Sequence, residues 1–239
     1  MAADRSGDEP RLGDAVLVHG LWGNPGDWRW VRRILEDSNV QVHVPDLPTH
    51  RSSTATLADD ADEVRQAIRS CSPPVVVVGW SYGGRVISIA ADGETSVVQL
   101  VYVADIPKPP SSQGEDDNWL DDDPHILTGP DGMCVLDNEW WLNEEAGATF
   151  PREVQQHCRE HPRRPATRTT LTDPQTTAAW QTIATTVLAG RSDPLLTDAE
   201  RRWATDHLDD VRLLDTDHFI IFRQPEVVAT AVLEAMNDR

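Results

Sequence analysis

Positive charge is scarce in this sequence. Lysine and arginine together number 21 against 40 aspartates and glutamates, a formal net charge of −19 over 239 residues, and Lys108 is the only lysine. Neutralising nucleic-acid phosphates takes clustered cations, so a general nucleic-acid binder is excluded, and an anionic membrane surface is disfavoured on the same ground. Cysteine is sparse as well. Cys71, Cys134 and Cys158 are odd in number, far apart and without a CxxC pair, so neither a disulfide framework nor a zinc knuckle is expected. Long apolar runs are missing: stretches such as Val75–Val78 are far too short to span a bilayer. The first residues (MAADRSGDEPRLGD) are acidic and polar and lack the apolar core of a secretory signal. These absences lead to the expectation of a reduced, cytoplasmic protein, monomer or homodimer, with no membrane or nucleic-acid partner. The length fits one large domain with room for an insertion.

What is present is an alternation. Short β-branched runs at Ala15–His19, Val40–Val44, Val75–Val78, Val97–Ala104, Ile183–Leu188 and Val211–Leu214 predict about six strands. Between them, apolar residues recur at helical spacing over Pro25–Glu36, Leu57–Ile68, Val86–Ala91, Thr197–His207 and Pro225–Met236. Strands separated by helices imply a mainly parallel, doubly wound α/β sheet. The rhythm breaks after Pro107. From there to about Thr170 the chain is rich in Pro, Asp and Arg with no strand run, which predicts a helical cap insertion at 107–170 on a core of 1–106 and 171–239. Helices are expected there around Asn138–Ala146 and Arg152–Glu160. The arginines from Arg152 to Arg168 read as a solvated face, as does the helix carrying His157 and His161, whose i, i+4 spacing lacks a third metal ligand. No metal site and no cofactor are expected.

Gly79-Trp80-Ser81-Tyr82-Gly83 follows one of these buried strands and opens a helix. That is the context in which G-x-S-x-G forms a nucleophile elbow: the turn is strained, the serine hydroxyl is exposed, and glycines flank it because side chains there would collide with their neighbours. A serine needs a base. His218, in a loop after the last strand, stands at the carboxyl edge where open α/β sheets bind ligands, whereas His207 sits within a helix. The acid that orients the histidine should end another strand at that edge. Asp193, in Gly190-Arg191-Ser192-Asp193-Pro194, does so, and Asp105 at the end of Val101–Asp105 is the alternative. Backbone N–H groups of Leu21, in the loop after the first strand, and of Tyr82, next to the serine, are the candidate oxyanion donors. His19 is expected to brace that loop. Trp22, Trp80, Trp140, Trp141 and Phe219 are the candidate substrate-binding side chains.

Taken together, VHGLWGNPGDWRW, VPDLPTH, VVVVGWSYGG, LVYVADIP, TTVLAGRSDPLLT and LLDTDHFIIFRQPEVVA resemble the α/β-hydrolase superfamily over essentially the whole chain. Within it the resemblance is closest to small-cap esterases related to plant methyl esterases and hydroxynitrile lyases. It implies a Ser81–Asp193–His218 triad with Leu21 and Tyr82 as oxyanion donors, no cofactor, and hydrolysis of a small to medium, largely apolar ester or lactone. Two departures from the pattern bear on substrate: Trp80 stands where a histidine is common, and Asp105 where alanine is usual. The lyases also carry a threonine after the loop histidine and a lysine after the catalytic one, where this chain has Gly20 and Phe219. A cyanohydrin lyase is therefore the weaker alternative, alongside a ligand-binding receptor on the same fold.

Overall fold

In the computed structural model, which describes residues 11–237, six strands form one parallel sheet in the order β2-β1-β3-β4-β7-β8. The first half of the chain runs β1 (Gly13–Val18), α1 (Arg29–Asp37), β2 (Val40–His43), α2 (Leu57–Ser70), β3 (Val75–Trp80), α3 (Tyr82–Ala90) and β4 (Val97–Val103). An inserted segment follows, with α4 (Trp119–Asp122), β5 (Ile126–Thr128), β6 (Cys134–Leu136), α5 (Asn138–Asn143), α6 (Arg152–Glu160) and α7 (Thr169–Thr172). The alternation then resumes with β7 (Thr185–Gly190), α8 (Asp198–His207), β8 (Asp210–Leu214), α9 (Ile220–Arg223) and α10 (Pro225–Asn237).

The side-chain period of two explains the layering. Ala15, Leu17, Val76, Val78, Val101 and Val103 pack on one face with α1 and α10. Their neighbours Val16, Val18, Val75, Val77, Leu100 and Tyr102 pack on the other with α2 and α3. The central strand β3 is buried along its whole length, while the edge strand β2 alternates between buried and half-buried positions. Helix starts are written locally. Thr56 and Asp59 form a reciprocal capping box on α2, and Thr197 with Glu200 does the same on α8. Strand order reverses between β1 and β3, so the loops leaving their carboxyl ends diverge and open a crevice there.

The inserted segment departs from expectation in three ways. It contains an antiparallel hairpin, β5 on β6, where no strand was expected. Its three-residue strands are too short to show a period, and contacts from outside the pair hold them: Ala166 bridges to Cys134, and Trp22 Nε1 donates to the Cys134 carbonyl at 3.0 Å. Arg152 and Arg159 on α6 are exposed as expected, but the three arginines after it are not a solvated face. Arg163 is buried in an ion pair with Asp27 and lies 4.9 Å from the Trp141 ring centre, Arg164 pairs with Asp46, and Arg168 with Asp117 and Asp121. His157 is also buried, with Nε2 donating to the Gly26 carbonyl at 2.8 Å, so it is spent on docking α6 to the core. From the core side, Arg85 on α3 donates to the carbonyls of Thr170, Leu171 and Asp173. The segment is thus tied down over the carboxyl edge of the sheet by side chains from both bodies.

Candidate active site

Ser81 joins β3 to α3 with φ 53° and ψ −124°, a left-handed conformation that a non-glycine residue holds only when its surroundings impose it. They do so from both sides. The Ser81 N–H donates to the Val103 carbonyl at 2.9 Å, and Gly84 N–H donates to the Ser81 carbonyl at 2.7 Å. A Cβ on Gly79 would stand 2.5 Å from the Gly83 carbonyl carbon, and one on Gly83 2.4 Å from the Val18 carbonyl oxygen. Both glycines are therefore required by the close approach of backbones that projects Ser81 from the turn.

Asp193 and His218 come from neighbouring loops after β7 and β8. Backbone bonds from Arg191 N–H to the Leu214 carbonyl (2.8 Å) and from Ser192 N–H to the Thr216 carbonyl (3.1 Å) lace those loops together. Asp193 is 2% exposed, and its Oδ2 lies 2.8 Å from His218 Nδ1. Its Oδ1 accepts the Leu195 N–H at 2.9 Å, so both carboxylate oxygens are held. With Nδ1–H donated to Asp193, the imidazole presents a free Nε2 lone pair. Trp80 fixes the other side of the loop, its Nε1 donating to the His218 carbonyl at 3.0 Å.

After β1, the Gly23 N–H bonds the Gly20 carbonyl, and Trp22 takes a positive φ of 59°. Among the described residues, no protein acceptor takes the backbone N–H of Leu21 or Tyr82. His19 is fully buried behind this loop, with Nδ1 on the Gly20 carbonyl at 3.0 Å and Nε2 accepting from Leu47 N–H at 3.4 Å. Sequence reasoning missed a buried polar network under the elbow. Tyr82 Oη donates to Asp60 Oδ2 at 2.7 Å, and Asp60 also accepts from the Thr49 hydroxyl (2.6 Å) and Thr49 N–H (2.9 Å). Burial pushes the Asp60 carboxyl up against the pull of those three bonds. A signal was there: Asp60 lies on the stripe of α2 that also carries Leu57, Ala61, Val64 and Ile68, and a charge on an apolar stripe calls for a partner.

A cavity of about 820 Å³ opens over these groups, with Ser81, His218, Leu21 and Tyr82 on its wall. Trp22, Trp80, Trp140, Trp141 and Phe219 all line it, as does Trp119. Asp105 lines it too, directly after Ala104, which is held at φ 53°. Asp105 packs against Gly84, where an added Cβ would lie 2.2 Å from its Oδ2, and no bond joins it to His218 among the described residues. Burial, countered in part by Lys108, pushes its carboxyl up to about 7.

The family model described as the alpha/beta hydrolase family matches residues 15–231. A pimeloyl-[acyl-carrier protein] methyl ester esterase of Aliivibrio fischeri is 30% identical over 117 residues, covering 48% of this chain and 44% of that enzyme. The chain spans less than half the length of the curated relatives it matches. Among solved structures, a pyrethroid hydrolase from Sphingobium faniae superposes with a TM-score of 0.71 at 19% identity, covering 94% of this chain and 97% of that one. A methylesterase from Arabidopsis gives 0.69 at 16% identity, covering 93% and 98%. At such identities the two structures share the fold.

Proposed function

Because the chain belongs to the alpha/beta hydrolase family, we propose that it is a serine carboxylic-ester hydrolase, with Ser81, His218 and Asp193 as nucleophile, base and orienting acid. One observation carries the reading. A histidine bonded at 2.8 Å to a buried aspartate shares a cavity wall with a serine held at positive φ. The named activities of the esterase and methylesterase relatives point the same way.

In this mechanism His218 Nε2 takes the Ser81 proton as Oγ forms a bond to the ester carbonyl carbon. The carbonyl π electrons move onto oxygen, and that oxyanion meets the N–H groups of Leu21 and Tyr82 at the amino end of α3. Collapse expels the alcohol, which leaves with the proton returned by His218. Water, deprotonated by the same base, then cleaves the acyl-enzyme. Asp193 holds the tautomer and stabilises the imidazolium. A cavity of about 820 Å³ with tryptophan walls suits a small to medium, largely apolar ester or lactone. Cyanohydrin cleavage is disfavoured: Phe219 follows His218, and Lys108 is engaged with Glu115 at 2.9 Å.

Ser81→Ala tests the reading. The variant should keep its circular dichroism spectrum and lose essentially all turnover of an aryl ester, and wild-type enzyme should give a burst of alcohol equal to the enzyme concentration. Retention of more than about a tenth of wild-type activity would exclude the acyl-enzyme, because the oxyanion hole and binding alone leave only a small residue of catalysis.

A further inference from the structure

Away from the cavity, three elements bring together donors of three chemistries. Asp14 lies near the start of β1 and pairs with Val75, the first residue of β3, so the cluster sits at the amino-terminal edge of the sheet. His43 ends β2, and Cys71 caps the carboxyl end of α2. One carboxylate oxygen, one imidazole nitrogen and the thiol sulfur all lie within 4.8 Å of one another. His43 Nε2 stands 3.3 Å from Asp14 Oδ2, which also accepts the Ser72 N–H at 2.9 Å. The other oxygen, Oδ1, is buried with no hydrogen-bond partner, although the Asp14 side chain is only 4% exposed. A carboxyl oxygen left bare in the interior costs free energy that a ligand would recover.

The geometry points to a site for one thiophilic divalent cation, of the Zn²⁺ class, held by Asp14, His43 and Cys71 with water as fourth ligand and serving the fold rather than the reaction. Tetrahedral Zn²⁺ places its donor atoms roughly 3.3 to 3.6 Å apart. Reaching that from 4.8 Å takes side-chain rotation of about 1 Å. His43, with its side chain 28% exposed, and half-buried Cys71 have room to make it, while the Ser72 N–H anchors Asp14. On binding, the Cys71 proton leaves to solvent and its bond to the Ala67 carbonyl is given up. Sγ, Nε2 and a carboxylate oxygen each donate a lone pair, and no electron changes hands. Two anionic ligands balance the charge of the ion. A thiolate and an imidazole among three donors suit a thiophilic cation and not Mg²⁺ or Ca²⁺, which take oxygen ligands.

The test uses the full chain after chelator treatment. Titration with Co²⁺ should give one equivalent of saturable binding with a thiolate-to-metal charge-transfer band, erased by Zn²⁺, and Zn²⁺ should raise the unfolding temperature. Cys71→Ala should abolish the band, and His43→Ala should weaken binding about tenfold or more. His161→Ala, at the exposed residue that caps α6, should leave both unchanged. The band is read on the wild-type chain, so the outcome does not depend on any variant folding. A Co²⁺ spectrum without charge transfer, no saturation, or loss of binding in His161→Ala in place of Cys71→Ala would overturn the site. Because the readouts are spectral and thermal, failure here leaves the esterase reading untouched, and loss of the esterase reading leaves the metal site standing.

Discussion

Two carboxyl groups near the site differ in what holds them. Asp193 has both oxygens bonded, one to His218, while Asp105 faces the cavity beside Gly84. Asp193→Asn should allow the wrong imidazole tautomer and lower kcat by about 10⁴, the loss seen for the equivalent change in a serine protease. Asp105→Asn should cost about tenfold or less, since it alters only the polarity of the cavity wall. Steady-state kinetics on one aryl ester rank the two, and the reverse order would move the acid to Asp105. Asp105 carries a separate prediction for stability. Its carboxyl is raised from 3.8 to about 7 on folding, so the unfolded chain ionises first. Stability is fully present below about pH 4 and is lost as pH rises through 7. Lys108 offsets part of this, and Glu115 and Glu200 add to it. In urea unfolding, Asp105→Asn should therefore be more stable than wild type at pH 8, by on the order of 1 kcal/mol, with the difference closing near pH 4.

At the scale of elements, the inserted segment is held by charges of two kinds. The Arg163–Asp27 pair joins the chain after α6 to the turn before α1, and its side chains are 3% and 0% exposed. Removing one partner strands the other in the interior. Arg163→Ala should destabilise by about 3–5 kcal/mol in denaturant titration and also raise KM, because Trp141 loses the guanidinium that packs on it. Arg168 is 27% exposed and pairs with Asp117 and Asp121 in contact with solvent. Arg168→Ala should cost less than about 1 kcal/mol. Equal losses from the two substitutions would mean that burial does not distinguish these pairs.

For the whole molecule, the sign of the charge reaches the cavity. Acidic side chains on its lining outnumber basic ones, and three of the basic ones, Arg163, Lys108 and Arg223, are already ion-paired. Together with a net charge of −19, this should repel an anionic substrate. Of two aryl esters with equal acyl length, the one ending in a carboxylate should have a kcat/KM about tenfold lower at ~0.01 M salt, with the gap narrowing several-fold at ~0.5 M. A preference for the carboxylate ester would instead place a usable cation in the cavity.

The local part of this protein is legible in its sequence. The VVVV run, the stripe Leu57, Ala61, Val64, Ile68 and the capping pairs Thr56–Asp59 and Thr197–Glu200 depend on neighbours within a few positions, so strand, helix and elbow could be read by period and punctuation. The placement of Ser81, Asp193 and His218 could be read as well, since each follows a strand at one edge of the sheet. Only the tertiary structure decided which charges are buried. Arg163 finds Asp27 across 136 residues, and Tyr82 reaches Asp60 across 22. The β5–β6 hairpin leans on Trp22, 112 residues before Cys134, and Asp14 meets His43 and Ser72 only because β1 lies between β2 and β3. The reason is physical: an isolated arginine, aspartate or three-residue strand has no preference of its own strong enough to choose burial, and the choice is made by partners that the folded chain brings within hydrogen-bonding distance.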